Sequence, residues 1–285
     1  MTAPLVEDGA PLVEEGRRAR LETEVLALLR NRTLVVLTGA GLSTDSGIPD
    51  YRGPASPSRT PMTVQEFRSG PQAQRRYWAR SHLGWSRMGG AAPNVGHRSL
   101  ARLDPALLIT QNVDGLHERA GSRSMVALHG RIADVVCLDC RLVTSRSRLQ
   151  ARLAAANPGY ADAHAAAPTR PDGDVDLDDT DDFAVPGCED CGGVLKPDVV
   201  FFGENVPAVR VEHCYAAVDA LTPEGGALLV AGSSLTVMSG FRFVRRAAKA
   251  GVPVVIANRG ATRGDDLASY TLDVGCSEFL TNLAD

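Results

Sequence analysis

The sequence predicts an α/β fold built on an open parallel sheet, and three observations lead to this prediction. Five short apolar, β-branched runs are typical of buried strands. Helical periodicity accompanies them: residues 17–30 place apolar side chains at i, i+4, i+7 and i+8, and residues 241–250 precede the last run. Each run also stops at a small or polar cluster. The order strand, helix, strand favours right-handed crossovers, so we expect a Rossmann-like sheet with helices on both faces.

The five runs are the expected strands: TLVVLT (33–38), ALLIT (106–110), SMVAL (124–128), ALLVA (227–231) and VPVVIA (252–257). They are followed at once by GAGLS, QNVDG, HGR, GSS and NRG. Because ligands of open α/β sheets bind beyond the carboxyl ends of the strands, five such clusters predict one shared site. For any single cluster the alternative is a simple turn, since Gly, Ser and Asn are common at strand ends.

Composition narrows the class of protein. The chain has 285 residues, 44% of them hydrophobic, and a formal net charge of -4, so it can bury a large core and has no overall basic field for nucleic acid. No apolar stretch approaches the roughly 20 residues of a membrane span, and residues 1–16 lack the basic start of a secretory signal. We therefore expect a cytoplasmic protein, monomeric, with no membrane and no direct nucleic-acid partner.

Four of the six cysteines form two Cys-x-x-Cys pairs separated by 47 residues. In a reducing compartment this pattern predicts metal, and four thiolates close a tetrahedral zinc shell with no position left for water. A structural zinc ion is expected, with disulfide or redox use as the alternative. The acidic run at 172–182 is expected to be a solvated loop, because it lacks the Gly and the closing Glu of a calcium loop. The expected zinc ligands are Cys137, Cys140, Cys188 and Cys191.

A glycine-rich turn follows the first strand. Gly39 and Gly41 would let the backbone approach a pyrophosphate, and a following helix N-terminus would supply amide donors. Thr44 stands where the usual dinucleotide fingerprint has its third Gly, and no acidic residue ends the next strand. The sequence therefore disfavours an ordinary dehydrogenase.

Five segments together are more specific: GAGLSTDSGIPDYRG (39–53), TQNVDGLHERAG (110–121), LHG (128–130), KPDVVFFGE (196–204) and GSSL (232–235). In this order they resemble the sirtuin family of NAD-dependent protein deacylases, over residues 17–283. The PDYR, YWAR, GW and CLDC segments and the long acidic insert most resemble its class II subgroup. The resemblance implies that NAD is cleaved at its nicotinamide-ribose bond, with the acyl oxygen of a modified lysine attacking C1′. The implied products are nicotinamide, O-acyl-ADP-ribose and free lysine.

The resemblance also implies site residues. His129 would accept a proton from a ribose hydroxyl, because a neutral imidazole titrates near neutrality, and Asn112 would assist in catalysis. His117 is expected to be structural. The amides and carboxylate after ALLIT can orient ribose hydroxyls, although an Asx turn would also use them. The expected NAD contacts are Gly39, Ala40, Gly41, Ser43, Gly47, Ile48, Pro49, Asp50, Tyr51, Arg52, Gln111, Asn112, Val113, Asp114, Gly232, Ser233, Ser234, Asn258, Arg259, Gly260 and Cys276.

Two segments are expected to contact an acyl-lysine peptide. Residues 199–204 are interpreted as an extended edge to which the peptide adds as a strand, although Phe201 could equally pack in a core. Tyr77 and Arg80 resemble a pair that grips acidic acyl groups in some sirtuins, with ordinary helix packing as the alternative. The expected substrate residues are Val200, Phe202, Gly203, Glu204, Tyr77 and Arg80.

The expected organisation has four parts. Residues 17–52, 101–130 and 198–283 form the NAD-binding domain, and residues 53–100 form a cofactor loop with a helical lobe. Residues 131–197 form a zinc module with the acidic insert, and residues 1–16 a flexible N-terminus.

Two other functions use the same motifs: mono-ADP-ribosyl transfer to protein and non-catalytic sensing of NAD or ADP-ribose. An intact His129 and the VVFFGE segment favour deacylation over both.

Overall fold

The structure, a computed structural model, describes residues 10–50, 62–164 and 180–285, with side chains from residue 16 onward except at 86–89. The strands are β1 (Thr33–Thr38), β2 (Leu107–Thr110), β3 (Met125–Ala127), β4 (Gly130–Cys137), β5 (Val143–Ser145), β6 (Leu195–Val199), β7 (Gly226–Ala231), β8 (Val254–Ala257) and β9 (Tyr270–Leu272). The helices are α1 (Ala10–Arg30), α2 (Val64–Phe67), α3 (Pro71–Gly90), α4 (Val95–Leu103), α5 (Leu116–Ala120), α6 (Arg146–Ala156), α7 (Tyr160–Ala163), α8 (Ala208–Asp219), α9 (Met238–Lys249) and α10 (Cys276–Ala284).

Six strands form one sheet in the order β3-β2-β1-β7-β8-β9, and every pair in it is parallel. The five strands predicted from sequence are confirmed. The sixth, β9, was not predicted, because it has three residues with polar Thr271 at its centre. The direction of strand succession reverses between β1 and β7, which is the switch point where open α/β sheets bind ligands.

Both faces of the sheet are covered by helices, so its central strands are buried except at Thr33, the first residue of β1. Alternate residues of β1 point to opposite faces. Val35 and Leu37 pack in a core with side chains of α8 and α9, whereas Val36 packs in a second core with α1, α4 and α10. Full burial of one such side chain stabilises the fold by about 1.5–3 kcal/mol. The predicted doubly covered sheet is therefore confirmed.

The N-terminal helix is longer than the sequence pattern predicted. The helical pattern placed its start at residue 17, whereas α1 begins at Ala10. Pro11 is tolerated in the first turn because the N–H groups there have no partner within the helix. Residues 1–9 lie outside the described residues. None of the helices within the described ranges combines the length and apolarity required to cross a bilayer.

A smaller lobe contains the antiparallel sheet β5-β4-β6. Its core joins side chains from α2, α3 and α6, including Phe67, Trp78 and Leu149, so the segments on either side of β2 and β3 share one interior. The sequence predicted only short helices in the first of these segments, whereas α3 has 20 residues. Leu100 on α4 packs in the core of the large sheet. Most of the acidic run, residues 172–179, lies outside the described residues.

A buried arginine connects the two parts of this lobe. Arg146, the first residue of α6, is fully buried. Its guanidinium lies 4.7 Å from the ring centre of Trp85 and 5.3 Å from that of Trp78. It also donates to the Gln150 Oε1 atom at 2.7 Å and to the Ser81 carbonyl at 3.2 Å. A planar cation that stacks and donates in fixed directions suits this position, and a lysine does not.

We therefore expect Arg146→Lys to lower the free energy of unfolding of the lobe by about 2 kcal/mol, because the ammonium group loses the stacking and part of the hydrogen bonding. Urea unfolding followed by tryptophan fluorescence measures this directly, since both tryptophans of the chain contact Arg146. Arg148→Lys is the matched control on the same helix; its side chain is 63% exposed, and the expected change is below about 0.5 kcal/mol. Equal midpoints for the two variants would contradict the assigned role.

Candidate active site

A groove of about 1150 Å³ runs along the carboxyl ends of β1, β2, β7 and β8. It brings together most residues predicted from the strand-end clusters. Of the predicted set, Gly47, Arg80 and Cys276 are not among the lining residues, and Tyr51 and Arg52 lie outside the described residues. Those that line the groove are Gly39, Ala40, Gly41, Ser43, Ile48, Pro49, Asp50, Tyr77, Gln111, Asn112, Val113, Asp114, His129, Val200, Phe202, Gly203, Glu204, Gly232, Ser233, Ser234, Asn258, Arg259 and Gly260.

The loops after β1 and β7 meet backbone to backbone. A Cβ at Gly39 would lie 2.8 Å from the Gly232 carbonyl oxygen, and one at Gly41 would lie 3.0 Å from the same atom. The amide of Gly41 donates to that carbonyl at 2.9 Å. These glycines are therefore required by the packing of the two loops themselves. The predicted α-helix N-terminus after this turn is replaced by two 3-10 turns, Ala40–Leu42 and Thr44–Ser46, and Gly47 ends them in a left-handed conformation.

Three polar side chains form a network on one wall of the groove. The Asn112 amide donates to the Ser43 hydroxyl and to the Gly39 carbonyl, each at 3.0 Å. Ser43 in turn donates to the Asp114 carboxylate at 2.7 Å. Asp114 also accepts from the Leu116 amide at 2.9 Å, so the Asx turn considered from sequence is present alongside the groove contact. Burial raises the pKa of Asp114.

A second polar link joins the ends of β2, β1 and β7. Gln111 donates through Nε2 to the Ser233 hydroxyl at 2.7 Å and to the Thr38 carbonyl at 3.3 Å. The Ser233 oxygen also accepts from the Leu235 amide at 3.3 Å. Polar atoms from three loops are thereby fixed before any ligand binds, which reduces the entropy lost on binding.

The imidazole of His129 is held at both nitrogens. Its Nδ1 lies 2.8 Å from the Gln111 carbonyl oxygen, and its Nε2 lies 2.8 Å from the Ser239 hydroxyl. A carbonyl oxygen only accepts, so Nδ1 carries the proton of the neutral ring and Nε2 is the basic nitrogen. Burial lowers the pKa of His129, the Gln111 carbonyl opposes this shift, and the positive charge of Arg210 adds to it. The ring is therefore a neutral base at physiological pH.

The four predicted zinc ligands lie together at one end of the small lobe. Their sulfur atoms are all within 4.8 Å of one another, with 3.5 Å between Cys137 and Cys191 and 3.7 Å between Cys140 and Cys188. A tetrahedral Zn²⁺ with bonds of about 2.3 Å requires sulfur separations of about 3.8 Å. All four cysteines are free thiols, so the disulfide alternative is not realised. The donor set fits a closed, structural zinc site.

Comparison with known proteins agrees with this geometry. The model of the Sir2 family matches residues 39–239. The chain is 52% identical over 269 residues to NAD-dependent protein deacetylase 1 of Mycobacterium avium (strain 104), covering 92% of this chain and 94% of that protein. It is 56% identical over 265 residues to NAD-dependent protein deacetylase 1 of Streptomyces coelicolor, covering 90% and 87%. The chain belongs to the Sir2 family.

Solved Sir2 structures have the same architecture. A Sir2 protein with a p53 peptide and NAD+ superposes with a TM-score of 0.72 at 31% identity, covering 91% of this chain and 95% of that one. A Sir2 protein bound to a propionylated peptide gives 0.68 at 28% identity, covering 92% and 96%. The membership predicted from the motifs is confirmed, and the class II assignment stays a prediction.

In this Sir2-family chain, sequence reasoning missed part of the groove wall. Tyr77 lines the groove as predicted, and Ser81, Gly84 and Trp85 line it with the same face of α3, at i+4, i+7 and i+8. Helical spacing from Tyr77 could have identified them. Arg80, at i+3 from Tyr77, is not among the residues that line the groove. Ser239 carries no motif of its own, so only the three-dimensional structure reveals its contact with His129.

The expected strand edge after β6 is only partly formed. Regular pairing ends at Val199, the Val200 amide donates to the His129 carbonyl at 2.8 Å, and the Phe202 carbonyl accepts from Val64 at 2.9 Å. Phe201 is buried against Phe67, as the core alternative proposed. The chain therefore uses several of these backbone groups itself, and the addition of a peptide strand to residues 199–204 stays a prediction.

Glu204 faces inward as well as lining the groove. Its carboxylate accepts from the Phe201 amide at 3.0 Å and lies 2.9 Å from the ammonium of Lys196, a side chain only 3% exposed. The pair fixes the turn that follows β6, and burial lowers the pKa of Lys196.

His117 is buried and lies 3.0 Å from the Thr38 hydroxyl, so its predicted structural role is confirmed.

The loop after β8 is closed by its own polar groups. Asn258 donates to the carbonyls of Arg259 and Gly260 at 2.9 and 3.0 Å, and the Gly260 amide donates to Asp273 at 3.1 Å. Cys276 lies behind this wall: a Cβ at Gly232 would approach its sulfur to 3.1 Å. Burial raises the pKa of Cys276 to about 11, so the thiol stays neutral.

We expect Cys140→Ser to lower the zinc content to well below one ion per chain and to destabilise the small lobe, because a closed four-thiolate site loses a ligand. Metal analysis of the purified protein, together with thermal unfolding, measures both effects. Cys214→Ala is the matched control, since Cys214 lies in the core of the large sheet and should leave one zinc ion bound. Full zinc occupancy in Cys140→Ser would show that this cysteine is not a ligand.

Proposed function

We propose that this protein removes acyl groups from lysine side chains of other proteins and consumes NAD, giving nicotinamide, O-acyl-ADP-ribose and free lysine. The observation that carries the proposal is a neutral imidazole of fixed tautomer, His129, lining a groove at the switch point of a parallel sheet. The relatives described as NAD-dependent protein deacetylases support it, as do the Sir2 structures with NAD+ and with an acylated peptide. A structural zinc ion, held by the four paired cysteines, stabilises the lobe opposite the sheet.

When bound, NAD supplies an electrophilic ribose carbon, C1′, whose bond to nicotinamide is weak enough to exchange. The chain's own groups orient that sugar. Asn112, Ser43 and Asp114 form one hydrogen-bonded network beside His129 in the groove, and their remaining polar capacity suits ribose hydroxyls. The loops after β1, β7 and β8 present backbone amides and Arg259 to the phosphates and the adenosine end.

His129 moves the proton. Its Nε2 lone pair accepts the proton of a ribose hydroxyl while Nδ1–H stays on the Gln111 carbonyl, so the ring becomes an imidazolium without changing orientation. The low pKa of the buried ring keeps it available as a base at neutral pH. Catalysis by a positioned base of this kind contributes about 10²–10⁴-fold to rate.

The acyl-lysine side of the groove lies between α3 and the turn after β6. Tyr77, Ser81 and Trp85 form one wall, and Val200, Phe202, Gly203 and Glu204 form the other. This lining is mainly apolar, and Arg80 does not reach it. We infer that neutral acyl chains bind in preference to acidic ones, because a carboxylate buried on an apolar wall without a partner is costly.

Mass spectrometry of acetyl, propionyl, succinyl and glutaryl peptides incubated with NAD tests the activity. We expect NAD-dependent loss of the acyl group, fastest for the neutral acyl chains, and O-acyl-ADP-ribose as co-product. His129→Ala should reduce turnover by at least about 100-fold while NAD still binds. A peptide that gains the mass of ADP-ribose instead would support protein ADP-ribosylation in place of deacylation. NAD binding without turnover would support a sensor.

The acid limb of the kcat/KM profile should lie below pH 6.5, because activity requires neutral His129 and burial lowers its pKa. Arg210→Gln removes a positive charge that disfavours the imidazolium, so the pKa of His129 should rise and the limb should move to higher pH. Initial rates at subsaturating NAD and peptide across pH 5–8 give the profile. Arg245→Gln is an exposed control on α9 and should not move it. A shift to lower pH in Arg210→Gln would refute the assigned electrostatics.

A further inference from the structure

The basic nitrogen of His129 has a partner that the proposed reaction does not account for. Ser239 is the second residue of α9, and its hydroxyl lies 2.8 Å from Nε2. Since Nδ1–H is committed to the Gln111 carbonyl, Nε2 carries a lone pair and the serine must donate. The direction of this hydrogen bond is therefore fixed by the first one.

The approach of α9 to this point depends on the next residue. A Cβ at Gly240 would lie 2.5 Å from Oε1 of Gln111, so a larger residue in the first turn of α9 would displace the Gln111 amide. The same Gln111 supplies the carbonyl that binds Nδ1. Ser239 and Gly240 thus place the start of one helix against both the catalytic ring and the residue that orients it.

We infer that Ser239 is a positioning residue for His129, a role that rests on the proposed function. Its hydroxyl donates to Nε2 while the ring is neutral and holds Nε2 toward the groove. When a ribose O–H bond breaks and an Nε2–H bond forms, the serine keeps its own proton and turns its oxygen to accept from Nε2–H. A hydroxyl serves both states because it is donor and acceptor at once.

Charged groups around the ring do not replace this contact. Arg210 on α8 is 3.6 Å from Asp198 on β6, and Arg242 on α9 lines the groove together with Asp114 and Glu204. Among the described residues, the hydrogen bonds of the His129 ring are those to the Gln111 carbonyl and the Ser239 hydroxyl. Loss of the serine hydroxyl therefore leaves the ring held at one nitrogen, free to pivot about its bond to the Gln111 carbonyl.

The test combines NMR of the zinc-loaded protein with kinetics of Ser239→Ala and Ser239→Thr. In ¹⁵N spectra of the ligand-free protein, assigned with His129→Ala, we expect a protonated Nδ1 and a hydrogen-bonded, unprotonated Nε2. Ser239→Ala should change only the ¹⁵N chemical shift of Nε2, toward the value of an unprotonated nitrogen that accepts no hydrogen bond. Ser239→Thr, which keeps the hydroxyl, should restore the wild-type position.

In kinetics, Ser239→Ala should lower kcat for deacylation about 5-fold, the effect of roughly one hydrogen bond, with the KM for NAD unchanged. Ser239→Thr should recover most of this loss, and Arg245→Gln on the exposed face of α9 should behave as wild type. If the wild type is active but Ser239→Ala changes neither the Nε2 signal nor kcat, the role of Ser239 is overturned and the proposed function stands. An inactive wild type with a serine-dependent Nε2 signal would overturn the proposed function and leave the Ser239–His129 contact established.

Discussion

The contact between the loops after β1 and β7 is the constraint on which the site depends. Gly39 and Gly41 approach the backbone of Gly232 so closely that no side chain fits between them. This contact lies at the switch point of the sheet. On one side of it the strand order continues from β1 to β2 and β3, and on the other side from β7 to β8 and β9. The ends of β2 and β8 flank it, so the polar groups of four strands are fixed around one groove. A ligand that spans these ends meets donors whose positions are already set.

Around this contact, backbone carbonyls at the strand ends orient the side chains of the site. The Gly39 carbonyl accepts from Asn112, the Thr38 carbonyl from Gln111, and the Gln111 carbonyl from His129. Carbonyls accept only, so each one fixes the direction of its hydrogen bond. The tautomer of His129 thereby follows from the end of a strand, and the base needs no carboxylate partner to present Nε2. Rigid strands make such an arrangement more accurate than flexible side chains could.

The two lobes supply different kinds of surface to the groove. The large sheet supplies polar strand ends for the nucleotide, and the small lobe supplies an apolar wall from α3 and the turn after β6. Arg146 stacks on Trp85 of that wall and on Trp78, and the buried Lys196 ammonium pairs with Glu204 of the same wall. The four thiolates close the far end of the same lobe. Trp85 and Glu204 therefore both line the groove and connect its apolar wall to the buried Arg146 and Lys196.

The sequence by itself determined the parallel sheet, the zinc ligands and the strand-end residues of the site, because apolar periodicity and the two Cys-x-x-Cys pairs are local patterns. It missed β9, the start of α1 and the length of α3, because these short or polar segments carry no clear apolar periodicity. Only the tertiary structure decided that Arg80 and Cys276 lie off the groove and that Ser239 reaches His129. Ser239 and His129 are 110 positions apart in the chain. Their contact follows from the placement of a helix on the sheet, which no local pattern encodes.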